Sequence, residues 1–164
     1  MEVRMDQGII IKAVSGFYYV ENEQGIFQCR GRGVFRKQKI TPLVGDKVKF
    51  EAKNRTDGYV LEILPRKNEL NRPPISNVDQ ALLVFSIEEP AFIPLSLDRF
   101  LIHIEVNDIK PLICLSKIDL MNKESEEVIE FYKQSYKEIG YEVLTVSIYL
   151  KESVESLRPY LTPT

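Results

Sequence analysis

Histidine and cysteine are scarce in this 164-residue chain, and that scarcity removes whole classes of chemistry. The one histidine, His103, has no motif partner, which argues against Ser-His-Asp and Cys-His mechanisms. It falls on the flank of a predicted helix and reads as a surface residue. The two cysteines, Cys29 and Cys114, lie far apart in strand-like sequence. They support neither a disulfide framework nor a four-ligand metal site and read as small buried hydrophobes. No apolar run approaches the roughly 20 residues that span a bilayer; Ile9 to Ile11 and Ala81 to Phe85 are strand-sized. The first eight residues lack the basic start and apolar stretch of a signal peptide. A cytoplasmic location without a membrane partner is the expectation.

What is present is a chain with 44% hydrophobic and 28% charged residues and a net charge of -2, the profile of a globular protein. The near-neutrality conceals an asymmetry. Residues 1–72 hold 14 Lys and Arg against 9 Asp and Glu, a balance of +5, whereas residues 73–164 hold 8 against 15, a balance of -7. The break coincides with a linker-like stretch from Leu64 to Pro74, so two domains are expected, 1–67 and 68–164.

The first region reads as short strands, Gly8 to Val14, Phe17 to Val20, Ile26 to Arg30, Lys47 to Ala52 and Tyr59 to Leu64, separated by turns such as Ser15-Gly16 and Asp57-Gly58. A small all-β barrel follows, an OB-fold first and an SH3-like barrel as its competitor. The second region changes period. Val78 to Phe85, Pro111 to Leu115 and Glu142 to Val146 read as buried strands. Between and after them lie a helix carrying Leu97, Phe100, Leu101 and Ile104, a helix carrying Ile129, Tyr132, Tyr136 and Ile139 that ends at Gly140, and a third from Val154 to Leu161. Alternating strands and helices predict an α/β domain with a parallel sheet. Asp98-Arg99 reads as a packing or local ion pair. Glu124, Glu126, Glu127 and Glu130 suit the positive end of a helix dipole better than a metal.

Ligands of such sheets bind beyond the carboxyl ends of the strands. Ser116-Lys117-Ile118-Asp119 follows the second strand, and Thr145-Val146-Ser147 ends the third. The first segment matches the guanine-reading N/T-K-x-D element of GTPases, with Ser116 in place of Asn or Thr. A carboxylate at Asp119 accepts from both the ring N–H and the exocyclic amine of guanine, a donor pair that adenine lacks. Lys117 can lay its stem along the base, and Thr145 to Ser147 can offer a backbone N–H to the guanine carbonyl. The structural alternative is a solvated loop in which Asp119 caps a turn. None of the eight glycines precedes a lysine, so no G-x-x-x-x-G-K-S/T phosphate loop exists, and no D-x-x-G switch is present. Either the chain is no GTPase or its nucleotide-binding elements are permuted. Gly31-x-Gly33 lacks the third glycine of a dinucleotide fingerprint.

Arg30, Arg32, Arg36, Lys37 and Lys39 form a window of five cations without an acid, interleaved with Phe27 and Phe35. The cations suit phosphate contact with RNA, and the two rings suit the barrel core.

Taken together, Ala13 to Val20, Cys29 to Arg36, Pro42 to Asp46, Arg72-Pro73-Pro74, Asn77 to Gln80, Leu97 to Leu101 and Ser116 to Leu120 resemble the ribosome-small-subunit-dependent GTPases of bacteria. The resemblance implies an N-terminal OB-fold, a circularly permuted GTPase domain and a C-terminal zinc domain. It also implies GTP or GDP as ligand, Mg²⁺ with the nucleotide, Zn²⁺ in the complete protein, and the small ribosomal subunit with its rRNA as partner of a monomer. In that family guanine recognition precedes the phosphate loop. The chain is then expected to be an N-terminal fragment with no catalytic or metal residues of its own, unable to hydrolyse GTP alone. The rival reading is a non-catalytic OB-fold RNA adaptor.

Overall fold

The computed structural model describes residues 4–33, 35 and 40–161. These form two compact units, residues 1–78 and 79–164.

In the first unit, alternating side chains and tight turns produce β1 (Arg4–Val14), β2 (Phe17–Asn22), β3 (Gly25–Gly31), β4 (Lys47–Asn54) and β5 (Asp57–Ile63). The strands close a barrel in the order β1-β2-β3-β5-β4, with β4 returning antiparallel to β1 and β3 pairing parallel with β5. This is the OB-fold arrangement rather than the SH3-like one. Inward positions Ile10, Val20, Cys29, Val48, Phe50 and Val60 are nearly inaccessible, and Phe35 plugs the same core. A β-bulge between Ile10 and Lys12 resets the alternation of β1, placing Lys12 and Val14 opposite Tyr19 and Phe17.

The stretch expected to be a linker is instead a hairpin, β6 (Glu69–Asn71) and β7 (Pro74–Ser76). The reason is a buried carboxylate. Asp46 is fully inaccessible. Its Oδ1 accepts from Arg66 Nε at 2.7 Å and Ser76 Oγ at 2.6 Å, and its Oδ2 from Arg66 Nη2 at 2.8 Å and the Leu43 N–H at 2.7 Å. Arg66 also donates to the Thr41 carbonyl, 2.8 Å away, and to Glu69. Asn68 and Asn77 tie the strands' flanks together, Asn68 Nδ2 donating to the Val78 carbonyl at 2.8 Å and Asn77 Nδ2 to the Gly45 carbonyl at 2.9 Å. The first compact unit therefore runs eleven residues past the expected boundary at residue 67. Gly45 adopts φ +93°, and a Cβ there would stand 2.1 Å from the Ser76 carbonyl oxygen, so only glycine fits beside the hairpin.

The second unit contains β8 (Gln80–Ser86), α1 (Pro94–Glu105), β9 (Lys110–Ser116), α2 (Lys123–Ile139), β10 (Val143–Val146), α3 (Lys151–Glu155) and α4 (Arg158–Leu161). Its sheet is parallel, ordered β10-β9-β8. Central β9 buries Leu112, Ile113, Cys114 and Leu115 in succession, as a strand covered on both faces must. Edge strand β8 does not follow that expectation: Leu82 and Val84 are exposed on one face while Leu83 is buried on the other. Asn122 and Ser125 form a reciprocal capping box at the start of α2, and Gly140 ends it in the left-handed conformation.

The helical faces are narrower than expected. Leu97, Leu101 and Ile104 are buried, but Phe100 is exposed and stacks edgewise on Phe85; on α2, Ile129 and Tyr136 are buried while Ile139 is exposed. The single predicted helix over 154–161 is two short ones, because Pro159 can open a helix but cannot continue one from the preceding turn. Asp98 pairs not with its neighbour Arg99 but with α2, accepting from Tyr136 Oη at 2.8 Å, and Glu105 accepts from Tyr141 Oη at 2.7 Å.

Arg66→Ala strands a buried carboxylate and should cost about 3–5 kcal/mol in denaturant unfolding of the barrel unit, with Arg66→Lys intermediate because it keeps the charge but not the two-pronged contact. The bond to Glu105 and partial burial push the Tyr141 hydroxyl up to about 12, and burial and the bond to Asp98 push Tyr136 up as well. An unfolded tyrosine ionises near 10. This stabilisation is complete below about pH 10 and lost as pH climbs towards 12, so the unfolding midpoint should fall across that window and fall less in Tyr141→Phe.

Candidate functional site

β9 and β10 run parallel and in register, Val146 opposite Ser116, so their carboxyl ends deliver both sequence-predicted segments to one edge of the sheet. Beyond Ser116, Lys117 turns the chain with φ +61°, and Ile118–Leu120 form one 3-10 turn. That turn swings Asp119 towards β10, where its Oδ1 accepts from the Ser147 hydroxyl. Ser147 is buried, whereas Asp119 is exposed. The structure therefore brings Ser116 to Asp119 together with Thr145 to Ser147.

The supporting contacts assign different roles to these residues. Ser116 Oγ donates to the Phe85 carbonyl at 3.1 Å, bracing β9 against β8. Lys117 Nζ donates to the Glu89 carbonyl and so ties the β8–α1 loop to the site. Thr145 and Val146 belong to the strand ladder, opposite Leu115 and Ser116. Ser147 is fully engaged: its N–H donates to Ser153 Oγ at 3.0 Å, and its Oγ accepts from the Tyr149 N–H at 3.1 Å while donating to Asp119. Its backbone N–H is thus engaged within the fold. The next residue, Ile148, is 81% exposed, and its backbone N–H has no partner among the described residues. The engaged serine and the unpartnered amide thus belong to consecutive residues.

Of the five cations expected to face RNA, Arg36, Lys37 and Lys39 lie outside the described residues. Arg30 is exposed on β3 with its guanidinium 5.2 Å from the Phe17 ring centre. Arg32 is held by Glu51 at 2.5 Å. Phe35 is buried in the barrel core, and Phe27 packs against it, 5.2 Å from Phe50 between ring centres. His103 is exposed on α1, and both cysteines are buried, with burial pushing the Cys29 thiol up to about 11. Among the described residues no three His, Cys, Asp or Glu side chains gather as a metal site. No described helix is long and apolar enough to cross a membrane.

A closed OB barrel ahead of a parallel α/β sheet whose strand ends carry S-K-x-D defines the class, that of circularly permuted GTPases. Family models described as RsgA N-terminal domain and RsgA GTPase match residues 7–60 and 63–164. The chain belongs to the RsgA GTPase family. It is 61% identical over 157 residues to the small ribosomal subunit biogenesis GTPase RsgA of Bacillus cereus, covering 96% of this chain and 54% of that protein. It is also 61% identical over 153 residues to the one from Halalkalibacterium halodurans, covering 93% and 50%. Among solved structures it resembles YloQ, a circularly permuted GTPase (49% identity, TM-score 0.81, 98% of this chain and 58% of that one). It likewise resembles YjeQ from Thermotoga maritima (28% identity, TM-score 0.86, 97% and 58%). The chain spans about half the length of the curated relatives it matches.

Replacing Ser147 by Ala should leave the Tyr149 N–H without its acceptor and free the Asp119 carboxylate. The expected cost is about 1–3 kcal/mol in unfolding of the α/β unit, read by urea titration.

Proposed function

We propose that this chain is the RNA-binding and guanine-reading half of a GTPase that acts in small ribosomal subunit biogenesis in the cytoplasm. The observation that carries this reading is the meeting of Asp119 and Ser147 at adjacent strand ends, with the Ile148 amide open beside them. Asp119 accepts from the ring N–H and amine of guanine. Ser147 holds the carboxylate in place from behind, the Ile148 N–H meets the guanine carbonyl, and the Lys117 stem flanks the base while its ammonium secures the Glu89 loop. The donor set fits a guanine base: one carboxylate paired on one oxygen and one unpartnered amide, with no lysine-capped glycine loop for phosphates. Hydrolysis and Mg²⁺ binding are assigned to the part of the relatives' length that this chain does not span. The basic barrel supplies the contact with rRNA.

In the chain as it stands, titration with guanosine should shift the backbone amide NMR signals of Asp119 and of residues 147–150, adenosine should not, and Asp119→Ala should abolish the response. Asp119→Asn presents an amide donor in place of one carboxylate oxygen and should transfer the preference towards xanthosine, whose second ring carbonyl accepts where the guanine amine donates. Equal responses to guanosine and adenosine would defeat the assignment.

A further inference from the structure

The outward face of the barrel carries rings that the core does not use. Along β2, Val20 is buried and Tyr18 packs against the core, so Phe17 and Tyr19 point the other way. The bulge in β1 brings Lys12 opposite Tyr19, its ammonium 5.2 Å from the ring centre, and Val14 opposite Phe17. On the other side of β2, Phe17 faces Arg30, whose guanidinium lies 5.2 Å from the Phe17 ring centre, and Arg30 in turn pairs with the exposed Tyr59 of β5. Four strands thus contribute one continuous row, Val14, Phe17, Arg30 and Tyr59, with Lys12 and Tyr19 alongside.

The electrostatics of the face point to its ligand. Lys12 and Arg30 have no carboxylate partner among the described residues and rest only on aromatic faces. The acid opposite Tyr59 in register, Glu51, is already taken by Arg32. A cation seated over a ring keeps N–H donors for a phosphate, and guanidinium and aromatic planes both accept a stacked base. Bases inside a duplex expose no π-face, so a surface of this kind discriminates in favour of unpaired strands.

We propose that Phe17, Tyr19, Arg30 and Tyr59 form a stacking platform for unpaired RNA bases, with Lys12 and Arg30 meeting the adjoining phosphates. This rests on the RNA-binding half of the proposed function and narrows it to single-stranded elements read on the barrel wall, away from the loop that follows β3.

The test is fluorescence anisotropy of the 164-residue chain with labelled oligoadenylate and with a blunt RNA duplex of equal length. The single strand should bind more tightly. Phe17→Leu and Tyr19→Leu should each weaken it roughly fivefold or more, while Tyr19→Phe, which keeps the ring, should bind as the parent does. Lys12→Gln and Arg30→Gln should flatten the salt dependence. Equal affinity for strand and duplex, or leucine variants that bind unchanged, would overturn the platform. So would a dimer in sedimentation velocity that Tyr19→Leu dissolves, since the face would then belong to a second copy. Cosedimentation with small ribosomal subunits separates the two readings. If subunits are bound equally by the parent and both leucine variants and oligoadenylate binding is unaffected, the platform fails and the subunit reading stands. If oligoadenylate responds as expected but subunits are not bound, the platform stands and the subunit reading fails.

Discussion

The buried carboxylate of Asp46 is the constraint around which the barrel unit is organised. A fully inaccessible charge is tolerable only when every acceptor position is filled, and here both oxygens receive two donors each. Those donors come from three places in the chain: the segment entering β4, the arginine after β5, and the end of the hairpin. Because Gly45 and Asp46 also exchange backbone hydrogen bonds with Ile10, the same carboxylate fixes the bulged strand β1 against the barrel mouth. The hairpin has almost no apolar core of its own, with Leu70 its one deeply buried hydrophobe. It is held by polar contacts, so removing one donor unmoors β6 and β7 together.

This explains which parts of the fold were legible in the sequence. The five barrel strands and the three parallel strands show in hydrophobic alternation and in apolar runs bounded by turns, because burying side chains is what those segments do. The hairpin is short, rich in proline, asparagine and charge, and pairs through Arg66, Ser76 and two asparagines, so it reads as a linker. Its signal lies in partners 10 to 32 residues away. The narrow faces of α1 and α2 have a similar cause: helical spacing marks Phe100 and Ile139 as apolar, but a three-stranded sheet covers a narrower stripe than the period suggests.

The candidate guanine site shows the same division. The S-K-x-D spelling and its place at a strand end are visible in one dimension, because each strand ends where its apolar run ends. The identity of the free amide is not visible. It depends on Ser153, six residues downstream on α3, claiming the Ser147 N–H, and on Ser147 Oγ claiming that of Tyr149. What remains at the sheet edge is the residue between them. In both units a buried hydroxyl, Ser76 or Ser147, donates to a carboxylate and helps to orient it.

Charge counting needs the same correction by partners. The basic half of the chain owes its excess to 14 cations, but a cation engaged in the fold contributes little to an external phosphate. Arg66 is committed to Asp46, Arg32 to Glu51, Lys49 to Glu62, and Arg55 lies over Phe27 while donating to the Gln24 carbonyl. The window after β3, densest in Lys and Arg, therefore contains at least one residue that is already neutralised. Lys12 and Arg30, unremarkable in sequence because they stand eighteen positions apart, are described cations that the barrel sets against rings with neither an acid nor a carbonyl partner. Their usefulness comes from strand register, which aligns β1, β2, β3 and β5 so that distant residues share one surface. Net charge identifies the half of the molecule suited to an anion, and pairing decides where on that half the anion is met.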